Sequence, residues 1–391
     1  MLSYLLIRLL TFPFAYLPYK AIHALGKPLG LLAYYLIPKF RKRALSNLAL
    51  SNLKVDPIQT AKKSLQSLMI TCLEYPRLAR EKEVSRIASC DNPEEADAIM
   101  TKGKGVIFFC GHQANWELLF LEGTSRMPGV AIGRPIKNKA LYNWVLGMRQ
   151  KFGGTIITPK NALKEGLRAL KKGNFLGIVG DQGMPDSSYH SPFLGREAYS
   201  SPAPAMLSYK TNTPLIVATT TRKNGKYTIH YEKALYPNPD APMEQEVDRL
   251  MRAALSLYEE SIRKNPHEWL WIHNRWKQQT VGTLKRRYRQ DSIACILSEK
   301  LDNLALLRTL YPTEHITLFA PKEIASQITL DAEIRPYTHL KDLLIDDYRF
   351  KLLFNFTPNK KLDRHFKKLS AQVIARPKNL QELENLVRHA P

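Results

Sequence analysis

Cysteine and acidic residues are the scarce features of this 391-residue chain. Its four cysteines are widely spaced and include no C-x-x-C pair, which excludes a disulfide scaffold and argues against a structural zinc site, so we expect reduced thiols on the cytosolic side. The chain also lacks a phosphate-binding G-x-x-x-x-G-K-[ST] loop, a G-x-S-x-G nucleophile elbow and an H-E-x-x-H zinc site. These absences argue against a P-loop NTPase, a serine hydrolase and a zinc protease.

Size and charge point to a multidomain protein with anionic partners. Hydrophobic residues make up 44% of the chain, enough for sizeable cores. The length exceeds the roughly 250–300 residues at which a single core stops growing, which predicts more than one domain. Lys and Arg number 58 against 35 Asp and Glu, a net charge of +23. Such a surface attracts nucleic acid, anionic lipid headgroups or an acidic protein.

The amino-terminal segment favours the lipid among these partners. No acid occurs before Asp56, while residues 1–17 and 21–38 are largely apolar and a basic cluster follows at 39–43. Apolar segments with aromatic and basic flanks are typical of a surface anchor or of one membrane span. We therefore predict a membrane-anchoring segment, including an N-terminal membrane helix, over residues 1–45. A cleaved signal peptide and a pair of amphipathic core helices are the alternatives.

The middle of the chain alternates between strand and helix patterns. Short apolar runs typical of buried strands occur at 104–110, 130–132, 155–157, 175–179, 215–220 and 227–231. This alternation predicts an α/β domain over residues 46–282, with a mixed sheet flanked by helices. Functional groups of such sheets gather just beyond the carboxyl ends of the strands, where His112 and Asp181 both lie.

A basic linker is predicted at residues 283–290, and a new alternation follows it. Strand patterns occur at 293–297, 315–320, 351–356 and 372–375, with helical patterns at 303–311, 340–345 and 380–389. Residues 291–391 are therefore predicted to form a small, Rossmann-like half domain of α/β type. Their opening is similar to that of heptosyltransferase-type glycosyltransferases, but Ser298–Asp302 replaces the glycine loop. We expect a non-catalytic docking or stabilising module.

The segment Gly111-His112-Gln113-Ala114-Asn115-Trp116-Glu117 carries the candidate chemistry. His112 and Glu117 do not share a helix face, so they can converge only if His112 lies in a strand-to-helix turn and Glu117 in the first helical turn. A histidine held by a carboxylate is a good general base. Taken alone, the pair is more often a surface or capping feature. Cys110 offers a rival thiol nucleophile, although its apolar strand favours a buried core cysteine.

These residues resemble the His-x4-Asp/Glu motif of the lipid A late acyltransferases, the lauroyl and myristoyl transferases related to the glycerolipid acyltransferases. Further blocks agree with the family in order and spacing over about residues 1–280, with Ala114 standing where glycine is usual. The chain after residue 285 extends beyond the family's usual end. The matching blocks are Arg134-Pro135 with Asn138, Arg149 with Phe152-Gly153-Gly154, Gly180-Asp181-Gln182, Phe193-Leu194-Gly195-Arg196, and 266–277 (PHEWLWIHNRWK).

The resemblance implies transfer of a fatty acyl chain from an acyl carrier protein thioester to a hydroxyl of a lipid A precursor. His112 would act as the base and Glu117 would orient it, and replacing either by alanine is expected to abolish turnover without unfolding. The resemblance also implies a substrate-binding set, in which Arg134 holds lipid A phosphates or the oxyanion. Arg149 and Asp181 are structural partners or acceptor-site residues. The whole set is Arg134, Asn138, Arg149, Asp181, Gln182 and Arg196.

No metal or cofactor is expected, since acyl carrier protein brings the acyl group as a co-substrate. The implied partners are that acidic protein, the lipid A precursor and membrane phospholipids, and the implied location is the bacterial inner membrane with the catalytic domain on the cytoplasmic side. Two alternatives stay open: an acyltransferase for another glycolipid or a glycerolipid, and a basic nucleic-acid-binding protein. The apolar amino terminus gives nucleic-acid binding no support, so we expect no nucleic acid.

Overall fold

The computed structural model describes residues 2–279 and 282–388. The strands are β1 Ala88–Cys90, β2 Val106–Cys110, β3 Gly129–Ile132, β4 Thr155–Ile157, β5 Phe175–Val179, β6 His190–Phe193, β7 Arg196–Tyr199, β8 Leu215–Lys223, β9 Lys226–Tyr231, β10 Ser292–Ile296, β11 His315–Pro321, β12 Glu333–Tyr337, β13 Leu352–Asn355 and β14 Val373–Ala375. The helices are α1 Leu2–Thr11, α2 Tyr19–Leu36, α3 Pro38–Leu50, α4 Pro57–Leu78, α5 Glu94–Thr101, α6 Glu117–Arg126, α7 Lys139–Arg149, α8 Ala162–Lys171, α9 Ala203–Thr211, α10 Met243–Lys264, α11 Ala305–Leu310, α12 Lys322–Ala325, α13 Lys360–Leu369 and α14 Leu380–Val387.

The chain divides into two compact units that each combine distant segments. Unit 1 contains residues 1–34, 62–182 and 200–270, and unit 2 contains residues 35–61, 183–199 and 271–391. The domain boundaries predicted from the sequence stay a prediction, because compactness does not show which parts of the chain fold independently. The four cysteines are free thiols, as predicted.

Unit 1 is built on a seven-stranded sheet in the order β1-β9-β8-β2-β5-β3-β4. Its strands pair in parallel except at the β8–β9 hairpin, which confirms the predicted mixed sheet. The hairpin turns at Asn224 and Gly225, whose φ angles of 50° and 80° suit the two-residue turn that matches strand twist. The central strand β2 is buried along its whole length. It therefore gives the residues that follow it a rigid base.

The N-terminal helices do not form the predicted membrane span. Within the described residues, no helix combines the length and the apolar character needed to cross a bilayer. A span needs about 20 apolar residues, whereas α1 has 10. The longer helix α2 carries Lys20, His23 and Lys27, and Pro13 and Pro18 lie between the two helices. The apolar content of the segment is thus divided between two short elements.

Unit 2 contains a five-stranded parallel sheet in the order β12-β11-β10-β13-β14. This order is that of a doubly wound α/β sheet, and hydrophobic clusters cover both faces. The sequence patterns miss β12 and α13, and the predicted helix over 340–345 is a single 3-10 turn, Leu340–Leu343. Unit 2 also contains the short antiparallel pair β6–β7. The α/β class predicted for the carboxyl-terminal region is confirmed.

A buried ion cluster lies inside unit 2. The Nζ of Lys351 donates to both carboxylate oxygens of Asp291 at 2.7 and 2.9 Å and to the Oδ1 of Asn47 at 2.7 Å. Arg196 donates to Asp291 at 3.2 Å and stacks on Trp276, with its guanidinium carbon 4.9 Å from the ring centroid. Burial lowers the pKa of Lys351 to about 8, against the opposing effect of Asp291. The cluster joins β7 and α3 to the residues directly before β10 and β13.

Replacing Lys351 by methionine is expected to destabilise unit 2 by about 3–5 kcal/mol, because Asp291 would stay buried with only part of its compensating charge. Urea unfolding followed by circular dichroism measures this loss. The control is Lys368→Met, a change of the same size at an exposed position of α13, which should shift stability by less than about 0.5 kcal/mol. Equal unfolding midpoints for the two variants would contradict the prediction.

Candidate active site

Two neighbouring parallel strands of unit 1 end in the same way. Cys110 of β2 pairs with Val179 of β5, and each strand is followed by a glycine and then by a polar residue, His112 or Asp181. A Cβ atom on Gly111 would lie 2.1 Å from the Tyr258 hydroxyl oxygen. Only glycine fits so close to that ring, so the chain can turn directly after the strand. The parallel register then places the two polar side chains together.

Asp181 holds His112 through both carboxylate oxygens. Oδ1 lies 2.8 Å from Nδ1 of the imidazole, and Oδ2 accepts the His112 backbone N–H at 2.7 Å. Oδ2 also accepts the Trp269 indole N–H at 2.8 Å. Because a carboxylate only accepts, Nδ1 carries the proton in the neutral ring, and Nε2 is left as the base. The Gln182 side-chain nitrogen lies 3.4 Å from Nε2, and the His112 side chain is 15% exposed.

Glu117 begins α6, as predicted, but its carboxylate is engaged with Arg149. Arg149 donates to both oxygens, at 2.7 Å from Nε and 2.5 Å from Nη2. The Tyr75 hydroxyl and the Trp116 indole N–H donate to Oε1 at 2.6 and 3.1 Å. The expected orientation of His112 by Glu117 therefore needs correction, since the oxygen at Nδ1 belongs to Asp181. Asp181 prevails because its strand pairs directly with that of His112, whereas Glu117 lies beyond the turn.

The ion pair determines the charge state of Glu117. Burial would raise the pKa of this carboxyl, but the Arg149 guanidinium and the Tyr75 hydroxyl hold it below its usual range, with a smaller contribution from His112. Burial opposes the charge of Arg149 as well, and Glu117 outweighs it and raises the Arg149 pKa. Both groups are therefore charged at neutral pH. Glu117→Ala would leave the partly buried Arg149 without its carboxylate, so we expect this change to lower stability.

The other residues of the predicted substrate-binding set occupy different surroundings. Asn138 caps α7 by accepting the Leu141 backbone N–H at 3.0 Å, a structural role. Arg134 is exposed just after β3, at the same sheet edge as His112. Arg196 belongs to unit 2, where it pairs with Asp291. The structure thus gathers His112, Asp181 and Gln182 at one point and gives Asn138 and Arg196 structural contacts.

The turn between β2 and α6 depends on a strained alanine. Ala114 has a φ of 48°, in the left-handed region where glycine is favoured. Its N–H donates to the Glu268 carbonyl at 2.9 Å, and its carbonyl accepts the Thr71 hydroxyl at 2.8 Å. Alanine tolerates this conformation at a cost of about 1–2 kcal/mol.

A β-branched residue at position 114 is expected to break this turn. Ala114→Val should lower stability by at least about 2 kcal/mol, because valine is a genuine outlier at positive φ and the site is buried. Ala114→Gly is the matched control and should keep near-normal stability. Denaturant unfolding of the two variants checks the difference, and a valine variant as stable as the glycine variant would refute the left-handed turn.

Sequence reasoning misses two residues of this site. Trp269 receives no role of its own within the block 266–277, and its indole N–H donates to Asp181. Tyr75 in α4 is not singled out by any pattern, yet it binds Glu117. The shared Gly-polar ending of β2 and β5 could have indicated the His112–Asp181 pair. A single tryptophan or tyrosine in a helical or apolar stretch carries no such signal.

Comparison with known proteins agrees with the resemblance. The family described as bacterial lipid A biosynthesis acyltransferase matches residues 1–278. The chain belongs to this family. It is also similar to the lipid A biosynthesis lauroyltransferase of Escherichia coli (strain K12), with 23% identity over 282 residues that cover 69% of this chain and 90% of the relative. Family membership makes the protein an acyltransferase of lipid A biosynthesis and supports a lipid A precursor as its substrate.

The burial of Cys110 argues against its role as a rival thiol nucleophile. Burial raises the pKa of this thiol strongly, with smaller contributions from Asp181 and Glu117, so that it stays protonated at neutral pH. A protonated thiol is a poor nucleophile. The Sγ atom lies 3.7 Å from the Ile178 carbonyl oxygen on the neighbouring strand. Cys110 is thus a core residue of β2.

Proposed function

We propose that this acyltransferase moves a fatty acyl chain from an acyl carrier protein thioester to a hydroxyl of a lipid A precursor, with His112 as general base. The observation that carries the proposal is the Nδ1 contact of His112 with the buried carboxylate of Asp181 at 2.8 Å. This contact directs the proton of the neutral ring to Nδ1, so that Nε2 acts as the base, and it stabilises the imidazolium that forms. No metal or cofactor takes part in the proposed reaction.

The reaction proceeds without an acyl-enzyme intermediate. Nε2 of His112 takes the proton of the acceptor hydroxyl while the oxygen attacks the thioester carbonyl carbon. The resulting tetrahedral oxyanion collapses, the carbon–sulfur bond breaks, and the imidazolium returns its proton to the departing thiolate. The products are an ester and the free thiol of the carrier protein. Asp181 stays ionised throughout and keeps the imidazole in one tautomer.

The oxyanion or a phosphate of the acceptor requires a cation or N–H donors near Nε2. We assign this role to Arg134, an exposed cation that follows β3 at the carboxyl end of the sheet, where His112 follows β2. The Gln182 amide, 3.4 Å from Nε2, is a neutral donor next to the reacting hydroxyl. Glu117 adds a negative charge to the site, and its ion pair with Arg149 anchors α7 to α6.

The proposed setting is the cytoplasmic face of the bacterial inner membrane. The helix α1 and the turn that follows it carry large apolar side chains that are 54–73% exposed. They are Leu5, Leu6, Leu9, Leu10, Phe12 and Tyr16. Such a surface buries into the interfacial region of a bilayer without crossing it. Anionic phospholipids and an acidic carrier protein are both attracted by the net charge of +23. Both substrates would thus meet at the same surface.

A product assay tests the proposal. Purified full-length protein in mixed micelles is given a series of acyl carrier protein thioesters and a lipid A precursor, and mass spectrometry reads the products. One added acyl group per acceptor is expected, at a rate that depends on the carrier protein. Acyl-CoA of the same chain length serves as the donor control. Equal use of both donors would refute carrier dependence, and transfer only to a glycerolipid would refute the acceptor.

A further inference from the structure

Unit 1 contains a concave site whose lining does not include His112. The cavity has a volume of about 690 Å³. Its charged and titratable lining residues are Lys20, His23, Lys27, Lys63, Arg222, His267 and Glu268. Four permanent cations thus face a single carboxyl group. A concave surface with this excess of one sign concentrates anions.

The three lysines leave their ammonium groups available. Lys20 and Lys27 lie seven residues apart on α2 and therefore on one helix face, while Lys63 lies on α4. All three side chains are exposed. Over residues 2–279 and 282–388, none of them has an ion pair or a hydrogen bond. Each can therefore turn toward an anion in the cavity.

Arg222 gives the cavity a fixed wall. Its guanidinium donates to the Tyr227 hydroxyl at 2.7 Å, to the Ser67 hydroxyl at 2.9 Å and to the Thr71 hydroxyl at 2.8 Å. These bonds hold the charge in place. Burial, followed by the charges of Lys63 and Arg222, lowers the pKa of His267, so this imidazole is neutral at pH 7. The neighbouring cations thus act on His267 in the same direction as its burial.

Glu268 is the unusual member of the lining. The residue is only 7% exposed, and its Oε1 accepts the Arg222 backbone N–H at 3.0 Å. Its Oε2 is buried and has no hydrogen-bond partner among the described residues. Burial raises the pKa of this carboxyl to about 7, although Arg222 opposes the shift. A buried polar atom without a partner requires an explanation, and a hydroxyl or N–H of a bound molecule supplies one.

We propose that this cavity binds a phosphorylated sugar, with the phosphate on Lys20, Lys27 and Lys63 and a sugar hydroxyl on Oε2 of Glu268. This inference rests on the proposed function, in which the acceptor carries phosphate on a sugar. The site is connected to the catalytic turn, because the Glu268 carbonyl accepts the Ala114 N–H and the Leu270 N–H donates to the His112 carbonyl. A headgroup held in the cavity would position its acceptor hydroxyl relative to His112.

Calorimetric titration of the full-length protein with glucose 1-phosphate and with inorganic phosphate tests binding directly. Glucose 1-phosphate is expected to bind more tightly than phosphate. The triple change Lys20→Gln, Lys27→Gln and Lys63→Gln should weaken both by at least tenfold. Glu268→Gln should remove only the advantage of the sugar phosphate. These two variants separate the phosphate contacts from the hydroxyl contact.

The matched control is the triple change Lys164→Gln, Lys171→Gln and Lys172→Gln, which removes the same charge from exposed positions of α8 and of its C-cap. This control should leave both affinities unchanged. Equal losses in the two triple variants would overturn the proposal, because binding would then follow net charge alone. Absence of saturable binding to the unaltered protein would overturn it as well.

Steady-state kinetics identifies the source of the phosphate. The cavity lysine variant should raise KM for the glycolipid acceptor at least tenfold and leave kcat and the donor KM unchanged. A rise confined to the donor KM would overturn the acceptor assignment and give the site to a phosphate of the acyl donor. If the protein transferred no acyl group at all but kept lysine-dependent binding of glucose 1-phosphate, the proposed function would fail and the cavity proposal would stand.

Discussion

Replacing His112 by alanine is expected to lower kcat by roughly 10³- to 10⁴-fold, because the acceptor hydroxyl then has no positioned base. An alcohol is almost entirely protonated at neutral pH, and its attack on a thioester requires removal of that proton as the bond forms. KM for both substrates should change little, since the imidazole contributes to the reaction step rather than to binding. Pre-steady-state turnover of the carrier thioester measures the loss.

Cys110→Ala is the matched control for that change, two residues earlier in the same segment. The Cys110 side chain is buried, so its replacement should cost some stability and leave kcat per folded molecule within about threefold. If His112→Ala stayed active and Cys110→Ala were inactive, the general-base mechanism would be wrong and Cys110 would act as a thiol nucleophile. Circular dichroism of both variants confirms that folded protein is compared.

The sequence predicts the sheet of unit 1 well because buried parallel strands leave a simple pattern. The apolar runs at 155–157 and 175–179 coincide with β4 and β5, since both strands are short and bounded by polar or glycine residues. The strand β12 is missed because it lies at the edge of its sheet and contains Pro336 together with charged residues. Edge strands do not need the apolar run by which a buried strand is recognised.

The membrane prediction shows a different limit of sequence patterns. Hydrophobic composition over residues 1–45 indicates how much apolar surface is present, but the breaks at Pro13 and Pro18 decide whether it forms one long helix or several short ones. The exposed fractions of 73% at Leu9 and 66% at Leu10 then depend on which face α1 turns away from the protein. No local pattern contains that information.

The sequence identifies most of the residues at the site but not which of them contact each other. His112, Glu117, Arg149 and Asp181 were all singled out, yet the pairing runs from His112 to Asp181 and from Glu117 to Arg149. The family motif pairs His112 with the near neighbour Glu117. The register of β2 against β5 brings Asp181, 69 residues away, to the imidazole instead. Long-range pairing of this kind follows from strand order, which sequence alone does not fix.

Replacing Asp181 by asparagine is expected to lower kcat by roughly 10²- to 10⁴-fold through the tautomer of His112. Two donors, the His112 backbone N–H and the Trp269 indole N–H, point at Oδ2. They oblige the amide oxygen of asparagine to take that position, so the amide NH2 faces Nδ1. A donor at Nδ1 forces the ring proton onto Nε2, and the base can no longer accept the hydroxyl proton.

Nitrogen-15 NMR of the histidine ring distinguishes this effect from simple loosening of the site. The unaltered enzyme should show a protonated Nδ1 for neutral His112, and Asp181→Asn should show a protonated Nε2 with the fold retained. Glu117→Gln is the comparison variant: it should weaken the Arg149 ion pair and lower stability, with the tautomer of His112 unchanged. If Glu117→Gln reversed the tautomer and Asp181→Asn did not, the orienting carboxylate would be Glu117. The kinetic loss and the tautomer must change together, because in this mechanism Asp181 acts only through the imidazole that it holds.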